Sequence, residues 1–139
     1  MTYKHSICYP DRKEIEYKNN LISANEALVI AKNHPWVEQL ELLKNLNQDK
    51  ICYNPSIDFS SSKNRKSFCL TANYNDDNKL EFSLWYNRPK KIKVLFGLLG
   101  EKEKMTVDDI WKIDFEKAIK YLDYFLNEKY DIIENLYKT

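Results

Sequence analysis

The sequence predicts an α+β fold: an antiparallel β-meander of about four to six strands, packed on one face by helices. The prediction rests on the period of the apolar residues, which is helical over 24–46, alternating over 50–97 and helical again after residue 114. The chain has 139 residues, of which 43% are hydrophobic and 31% are charged, enough to fill and cover one core of ordinary size. We therefore expect residues 1–139 to form a single globular domain.

The N-terminal region predicts a hairpin followed by two helices. Apolar residues alternate first, and the pair Pro10-Asp11 supplies turn chemistry between two short strands. Ser23 and Glu26 have the spacing of a capping box, in which each side chain accepts a hydrogen bond from the other residue's backbone N–H. Pro35 ends the first helix and suits the first turn of a second one. The predicted elements are strands over 3–9 and 14–18 and helices over 24–33 and 35–46.

The middle of the chain predicts the rest of the sheet. Because proline cannot donate to a strand ladder, Pro55 marks the first of these strands as an edge strand or an interrupted one. The stretch SLWYNRPKKIKVLFGLLG, residues 83–100, contains a segment from Asn87 to Lys90 that we predict to be a hairpin turn with a basic tip. The predicted strands cover 51–59, 68–74, 80–87 and 91–97.

The C-terminal region predicts helices. The segment from Thr106 to Asp109 has the composition of a helix cap, so we expect a short helical turn at Ile110 and Trp111. Asp114 can cap a longer helix over 115–126, whose apolar residues form one broad face. A last amphipathic helix is predicted from about residue 130 onwards.

Charge and composition argue against several functions. The 22 Lys and Arg residues nearly cancel the 21 Asp and Glu residues, and a net charge of +1 provides no overall field that would attract a nucleic-acid backbone. Two glycines cannot build a glycine-rich phosphate loop. The two histidines and three cysteines lack the spacing of metal ligands. We therefore expect no cofactor, no nucleotide and no metal site.

Cysteine usage and hydropathy predict a cytoplasmic protein. The three cysteines form an odd set without paired spacing, and the start MTYKHSICYPDRKE lacks the apolar segment of a secretory signal. The longest apolar run, residues 94–99, is far shorter than the roughly 20 residues that cross a bilayer. We expect no contact with a membrane.

The candidate catalytic groups have structural explanations. A nucleophile pair would need one of the cysteines beside His5 or His34. Cys52 and Cys69 fall on predicted strands, where small thiols fill space, and His34 precedes a proline at a helix boundary. We therefore name no catalytic residue and expect that the chain is not an enzyme.

One face of the predicted sheet is suited to a protein partner. If Phe82, Leu84 and Tyr86 face the core, the alternation turns Trp85 away from it. Tryptophan is enriched among interface hot spots, and short polar side chains around it would form a rim. The predicted partner-binding residues are Trp85, Ser83, Asn73, Thr71, Lys91 and Lys93. Alternatively, the N-terminal hairpin or residues 98–106 cover Trp85.

The same face does not favour nucleic acid. Sheets that bind RNA stack bases on several exposed aromatic side chains, whereas this face offers one, and the RNA-binding sheet motif with its flanking glycine is missing. Nucleic acid is therefore not the expected partner.

In general build the chain resembles bacterial polymorphic-toxin immunity proteins, being small, single-domain and without catalytic motifs, with a sheet face suited to contact. The resemblance covers the build and no motif. It implies that the chain neutralises a cognate protein toxin by binding it directly. Two alternatives remain open: a small enzyme or small-ligand-binding domain with His5, Tyr53 or Tyr74 in a site between sheet and helices, and an accessory protein that binds RNA.

Overall fold

The part of the chain that the structure describes folds into one antiparallel sheet with four helices, the α+β architecture that the sequence predicts. The computed structural model describes residues 1–93, 95–98 and 100–138. The sheet has six strands in the order β2-β1-β3-β4-β5-β6. The strands are β1 (Thr2–Cys8), β2 (Glu16–Ser23), β3 (Ser56–Ser61), β4 (Ser67–Tyr74), β5 (Leu80–Lys93) and β6 (Glu101–Ile113). The helices are α1 (Ala24–Asn33), α2 (Trp36–Asn45), α3 (Phe115–Leu126) and α4 (Tyr130–Leu136), with 3₁₀ turns at Gln48–Lys50 and Leu95–Gly97.

The N-terminal hairpin and the first two helices form close to where they are predicted. β1 pairs with both β2 and β3, which joins the hairpin to the main sheet, and β2 continues to Ser23 instead of ending at Lys18. The Ser23 hydroxyl accepts a hydrogen bond from the Glu26 N–H at 3.1 Å, as a helix cap should. α1 has the predicted bounds, and α2 is shorter than predicted by one residue at each end.

The inner face of the sheet, defined here as the face that packs against the helices, forms the core. Alternate residues of β1, β3, β4 and β5 point into it, as the strand period of two requires. α3 lies across this face, where Phe125 stacks on Phe68 with ring centroids 5.4 Å apart. The Tyr3 hydroxyl donates to the Leu126 carbonyl at 2.6 Å, which joins β1 to the end of α3. Burial of such side chains, at roughly 1.5–3 kcal/mol each, fixes which face the helices cover.

Strand β3 lies in the interior of the sheet. Ile57 and Phe59 are fully buried, as the alternation predicts. The strand begins at Ser56, directly after Pro55, so residues 51–55 of the predicted strand precede it. The proline marks the start of a strand between β1 and β4. Of the two predicted alternatives, the edge strand is wrong, whereas the predicted strand is interrupted at Pro55.

The predicted turn at residues 87–90 is also wrong. β5 continues through this segment to Lys93, and Pro89 pairs with Met105 of β6. The pairing with β4 ends at Asn87, so Pro89 lies where β5 has no neighbour on that side and needs no donor toward one.

The helical turn predicted at Ile110 and Trp111 does not form. These residues belong to β6, which is antiparallel to β5. The ladder with β5 satisfies the backbone groups of this segment, and this outweighs the capping preference of residues 106–109. Helix capping occurs at Asp114, as predicted, where Oδ1 accepts from the Lys117 N–H at 2.8 Å at the start of α3.

Beyond Asn87 the sheet narrows to two strands, residues 88–93 and 101–106, which we call the arm. The predicted strand over 91–97 lies here: its first three residues belong to β5, Val94 lies outside the described residues, and 95–97 form the 3₁₀ turn. The hairpin tip therefore comes later in the chain than predicted.

The last two helices complete the inner layer. Ile133 of α4 is fully buried, and the Tyr137 hydroxyl just beyond it donates to the Leu84 carbonyl of β5 at 2.8 Å. Within residues 1–93, 95–98 and 100–138, no helix combines the length and the apolar character needed to cross a bilayer.

Candidate functional site

The outer face of the sheet, opposite the inner face, is the candidate site. In the described part of the chain, the buried side chains of all four helices pack with residues of the inner face. The strand register places two rows of outer-face side chains side by side across the sheet. One row consists of Ser6, Asp58, Cys69, Trp85 and Asp109, and the next of Cys8, Ser56, Thr71 and Ser83.

Two tryptophans lie together on this face. Trp85 is half-buried, and its indole N–H donates to the Ser83 hydroxyl at 2.9 Å. Trp111 of β6 stands edge-on to it, with ring centroids 5.9 Å apart and an interplanar angle of 73°. Trp111 is 51% exposed. Trp85 is thus partly covered by Trp111 of β6. Its burial does not require the N-terminal hairpin or residues 98–106, the two covers that the sequence suggested.

A β-bulge places Trp111 next to Trp85. Phe82 pairs with Ile113 and Leu84 pairs with Ile110, so β6 contains one more residue than β5 across this interval. Lys112 occupies the bulge with φ 62°, in the left-handed region that a lysine adopts at a cost. Bulges of this kind redirect side chains, and both Trp111 and Lys112 line one cleft at the end of the outer face.

The structure brings four of the six predicted site residues together. Thr71 is opposite Ser83, and Trp85 and Asn73 lie in the neighbouring positions of the same face. Ser83 is fully buried, so it can hold the Trp85 indole in place but cannot itself contact a partner. The role of this group in partner binding stays a prediction.

Lys91 and Lys93 lie elsewhere. They share the outer side of β5 but belong to the arm, and Lys91 is about 20 Å from Trp85 at the usual rise per residue of a strand. Each stands opposite a glutamate of β6, Lys91 opposite Glu103 and Lys93 opposite Glu101. The sequence suggested one cluster because the misplaced turn would have ended β5 before these lysines.

Asp58 is a site residue that the sequence reasoning did not select. It lies near the centre of the outer face, between Ser6 and Cys69 in the strand register. Burial raises the pKa of its carboxyl to about 6. Within the described residues, its oxygens have no hydrogen-bond donor and no basic side chain within ion-pair distance. The sequence signal that could have identified Asp58 is its position on the polar side of the strand predicted over 51–59.

Cys69 does not have the character of a nucleophile. Burial, followed by the nearby Asp58 carboxylate, raises the pKa of its thiol to about 12, so the thiol remains protonated at neutral pH. His5 lies on the inner face, where its ring stacks on Phe59 with centroids 6.0 Å apart. His34 packs edge-on against Trp36 beside the helices. In the described chain neither histidine is hydrogen-bonded to a cysteine, and no group of three or more His, Cys, Asp or Glu residues could hold a metal ion.

The side chains suggested for a small-ligand site are not brought together. The Tyr53 hydroxyl donates to the Lys13 carbonyl at 3.0 Å. The Tyr74 hydroxyl donates to Glu41 Oε1 of α2 at 2.7 Å. His5 lies on the inner face of β1, so the three residues contact three different segments.

A cleft of about 540 Å³ adjoins the tryptophan pair. It lies between the β4–β5 turn and the bulge of β6, and Trp111 forms part of its wall. Its charged side chains are three carboxylates, Asp76, Asp77 and Glu81, and one ammonium group, Lys112. The cleft is therefore acidic although the whole chain is nearly neutral.

Comparison with known proteins assigns no family to this chain. No protein-family model matches it, and no match is found among curated proteins or among solved structures.

Proposed function

We propose that this chain is a cytoplasmic protein-binding domain, and specifically an immunity protein that neutralises a cognate toxin by direct contact through the outer face. The observation that carries the proposal is a set of large apolar side chains on the outer side of β5 and β6, which we call the aromatic patch. The patch consists of Trp85, Met105, Val107 and Trp111.

The exposure of the aromatic patch is the first support. Met105 is 41%, Val107 56% and Trp111 51% exposed, and all three lie on one side of the same strand. Met105 and Val107 are neighbours on this side of β6, and Asp109 separates them from Trp111. Exposed apolar side chains with polar residues beside them are typical of protein–protein contacts. Tryptophan is also among the residues that contribute most to binding when they become buried in an interface.

The rigidity of the patch is the second support. Its side chains stand on paired strands and not on a loop, and the Ser83 hydroxyl fixes the Trp85 indole. A preformed patch loses little conformational entropy on binding, which favours tight contact. Thr71 and Asn73 beside it are half-buried polar residues of the kind found at an interface rim.

A small-ligand site is the second candidate. It would use the cavity beside Asp58, which has a volume of about 140 Å³ and is lined by residues including Ser6, Tyr17 and Ser60. Sites for drug-sized ligands usually measure roughly 300–1,000 Å³. This cavity fits a few water molecules or a small polar group, so it suits an extension of a protein interface better than an independent ligand site.

The charges of the outer face argue against nucleic acid as the partner. Asp58, Glu81 and Asp109 all project from this face, and their carboxylates would repel phosphates. The proposed cytoplasmic location is supported by the three free thiols, Cys8, Cys52 and Cys69, which are typical of a reducing compartment.

The test is capture of a partner followed by a functional assay. Three baits would be used: the wild-type chain, the variant Trp85→Ala/Trp111→Ala and the control Val29→Ala/Val37→Ala. Val29 and Val37 suit the control because they are about as exposed as Trp111 but lie on α1 and α2. We expect the wild type and the control to retain one protein that the tryptophan variant loses. Expression of that protein alone should arrest growth, and co-expression of the wild type or the control should restore it. Equal protection by the tryptophan variant contradicts the proposal.

A further inference from the structure

Carboxylates surround the aromatic patch on the outer face. Asp109 is directly opposite Trp85 across the β5–β6 pair, and Asp58 lies two strands away in the same row. Glu81 lies further along β5, opposite Asn73. Among the described strand residues of this face outside the arm, the basic residues are Lys4, at the border opposite Ser60, and Lys112, in the bulge of β6. The part of the face that contains the tryptophans is therefore negatively charged.

These carboxylates retain unused acceptor capacity. Asp109 uses Oδ2 to accept from the Trp111 indole N–H. Glu81 uses Oε1 to accept from the Asn75 side-chain amide at 3.0 Å. Within the described residues, the second oxygen of each carboxylate has no hydrogen-bond donor. A partner that supplies donors can therefore add hydrogen bonds without breaking existing ones.

The cleft beside Trp111 indicates which kind of hydrogen-bond donor a partner would place there. Its wall combines the exposed Trp111 indole with the carboxylates of Asp76, Asp77 and Glu81, and its one positive charge is that of Lys112. Guanidinium is planar, carries five N–H donors and no acceptor, and stacks on aromatic rings while bonding to carboxylates. An ammonium group lacks the planar stacking surface and is more strongly hydrated. The combination of indole and acids thus suits arginine better than lysine.

We infer that the partner presents an arginine side chain to this face, with its guanidinium in the cleft between Trp111 and Glu81. This inference rests on the proposed function, because it describes the partner's contact with the same face. It also assigns a role to the strained bulge at Lys112, which turns Trp111 toward the acidic residues. A phosphate-bearing or acidic partner segment would be repelled from the same position.

A direct test uses a small probe and the tryptophan indole N–H signals. N-acetyl-L-arginine amide would be titrated into ¹⁵N-labelled protein, with N-acetyl-L-citrulline amide, which is uncharged and nearly the same shape, as the matched control. We expect the arginine probe to shift the indole signals of Trp111 and Trp85 in a saturable way. Trp36 is an internal reference, because its indole N–H donates to the Ala31 carbonyl at 2.8 Å in the core and should not shift.

Variants locate the probe. Asp77→Asn/Glu81→Gln should weaken the arginine probe at least about tenfold, since charge-assisted hydrogen bonds are lost. Glu116→Gln, an exposed change on α3, should bind the probe as the wild type does. Equal shifts with the citrulline probe, no shift with the arginine probe, or unchanged binding by the double variant each overturn the inference.

The titration with the arginine probe and the test of the proposed function can fail independently. If the arginine probe fails while Trp85→Ala/Trp111→Ala abolishes capture and protection, the arginine inference is wrong and the protein-binding function stands. If the probe binds as expected but the tryptophan variant still captures and protects, the proposed use of the outer face is wrong, and the arginine inference falls with it as a statement about the partner.

Discussion

The guanidinium of Arg88 on β5 forms a two-point ion pair with the carboxylate of Glu134 on α4. Nε lies 2.7 Å from Oε1, and Nη2 lies 3.0 Å from Oε2. Nη1 lies 2.7 Å from Asp108 Oδ2 of β6, and the guanidinium carbon is 4.8 Å from the centre of the Tyr86 ring. Arg88 is only 2% exposed, and its side chain links α4 to β5 and β6.

Removal of the Glu134 charge should destabilise the protein. Glu134→Gln keeps the shape of the side chain but replaces the ion pair with neutral contacts, and it leaves Asp108 as the remaining carboxylate partner of the buried Arg88. We expect a loss of about 2 kcal/mol in the free energy of unfolding, measured by urea denaturation, because hydrogen bonds to charged groups contribute about 1.5–3 kcal/mol. Glu116→Gln on α3 is the control and should cost less than about 1 kcal/mol, since its exposed carboxylate interacts only with the N-terminal end of the helix. Similar stability of the two variants would show that Arg88 does not depend on Glu134.

The stability of the Asp58→Asn variant should depend on pH in a defined way. The native Asp58 carboxyl keeps its proton up to about pH 6, whereas an unfolded aspartate loses it near pH 4. The native state thus binds more protons between about pH 4 and 6, so this group lowers the free energy of unfolding as the pH rises. At pH 7 we expect Asp58→Asn to be more stable than the wild type by on the order of 1–2 kcal/mol.

The pH series provides its own control. Other carboxyls, such as Glu134, whose pKa the Arg88 hydrogen bond lowers, titrate in both proteins and cancel in the difference. The advantage of Asp58→Asn should therefore shrink as the pH falls from about 6 to 4. A difference that is absent at pH 7, or that grows on acidification, contradicts the account of Asp58 as a half-buried carboxyl without a partner.

Glycine at position 128 should stabilise the end of α3. Glu128 has φ 60°, and the Lys129 N–H donates to the Tyr124 carbonyl at 2.9 Å, the pattern of a helix end that favours glycine. Glu128→Gly should raise the free energy of unfolding by about 1 kcal/mol because the left-handed conformation no longer carries a penalty. Glu128→Ala removes the same charge but keeps the penalty, so it should give no gain. Equal thermal midpoints for the two variants would count against the strain argument.

Local signals in the sequence predicted the helices and most of the sheet. The caps at Ser23 and Asp114 and the alternation of β4 depend on neighbours in the chain, so their positions could be read directly. The end of β5 could not, because Pro89 and the polar segment around it have the composition of a turn. Its strand conformation depends on pairing with β6 and on the pair between Arg88 and Glu134, which are 46 residues apart.

The candidate site, like the sheet, could be predicted only where neighbouring residues in the chain carry the signal. The alternation of β5 indicated that Trp85 points away from Phe82, Leu84 and Tyr86, and the structure has it on the opposite face. Trp111 was missed because its segment was assigned to a helix, although Met105, Val107 and Trp111 alternate with period two. The raised pKa of Asp58 arises from neighbouring strands, and a single strand's sequence carries no sign of it.

Substitution of Trp85 by alanine distinguishes binding from packing. Trp85 is half-buried against Trp111, whereas Trp36 is 3% exposed and packs edge-on against Phe82 with ring centroids 5.0 Å apart. Trp36→Ala should therefore cost about 3–5 kcal/mol of folding stability, as loss of a core aromatic does. Trp85→Ala should cost less stability than this and leave the fold intact.

The same Trp85→Ala variant should weaken the complex with the partner by on the order of 2 kcal/mol or more, as loss of an interface hot spot does. Dissociation constants from calorimetry and unfolding free energies from urea denaturation would be compared for the same preparations. Trp111→Ala should fall between the wild type and Trp85→Ala in affinity, since it removes the exposed ring and uncovers Trp85. If Trp85→Ala loses as much stability as Trp36→Ala while its affinity is unchanged, then Trp85 serves the packing of β5 on β6, and the binding role passes from the tryptophan pair to some other part of the surface.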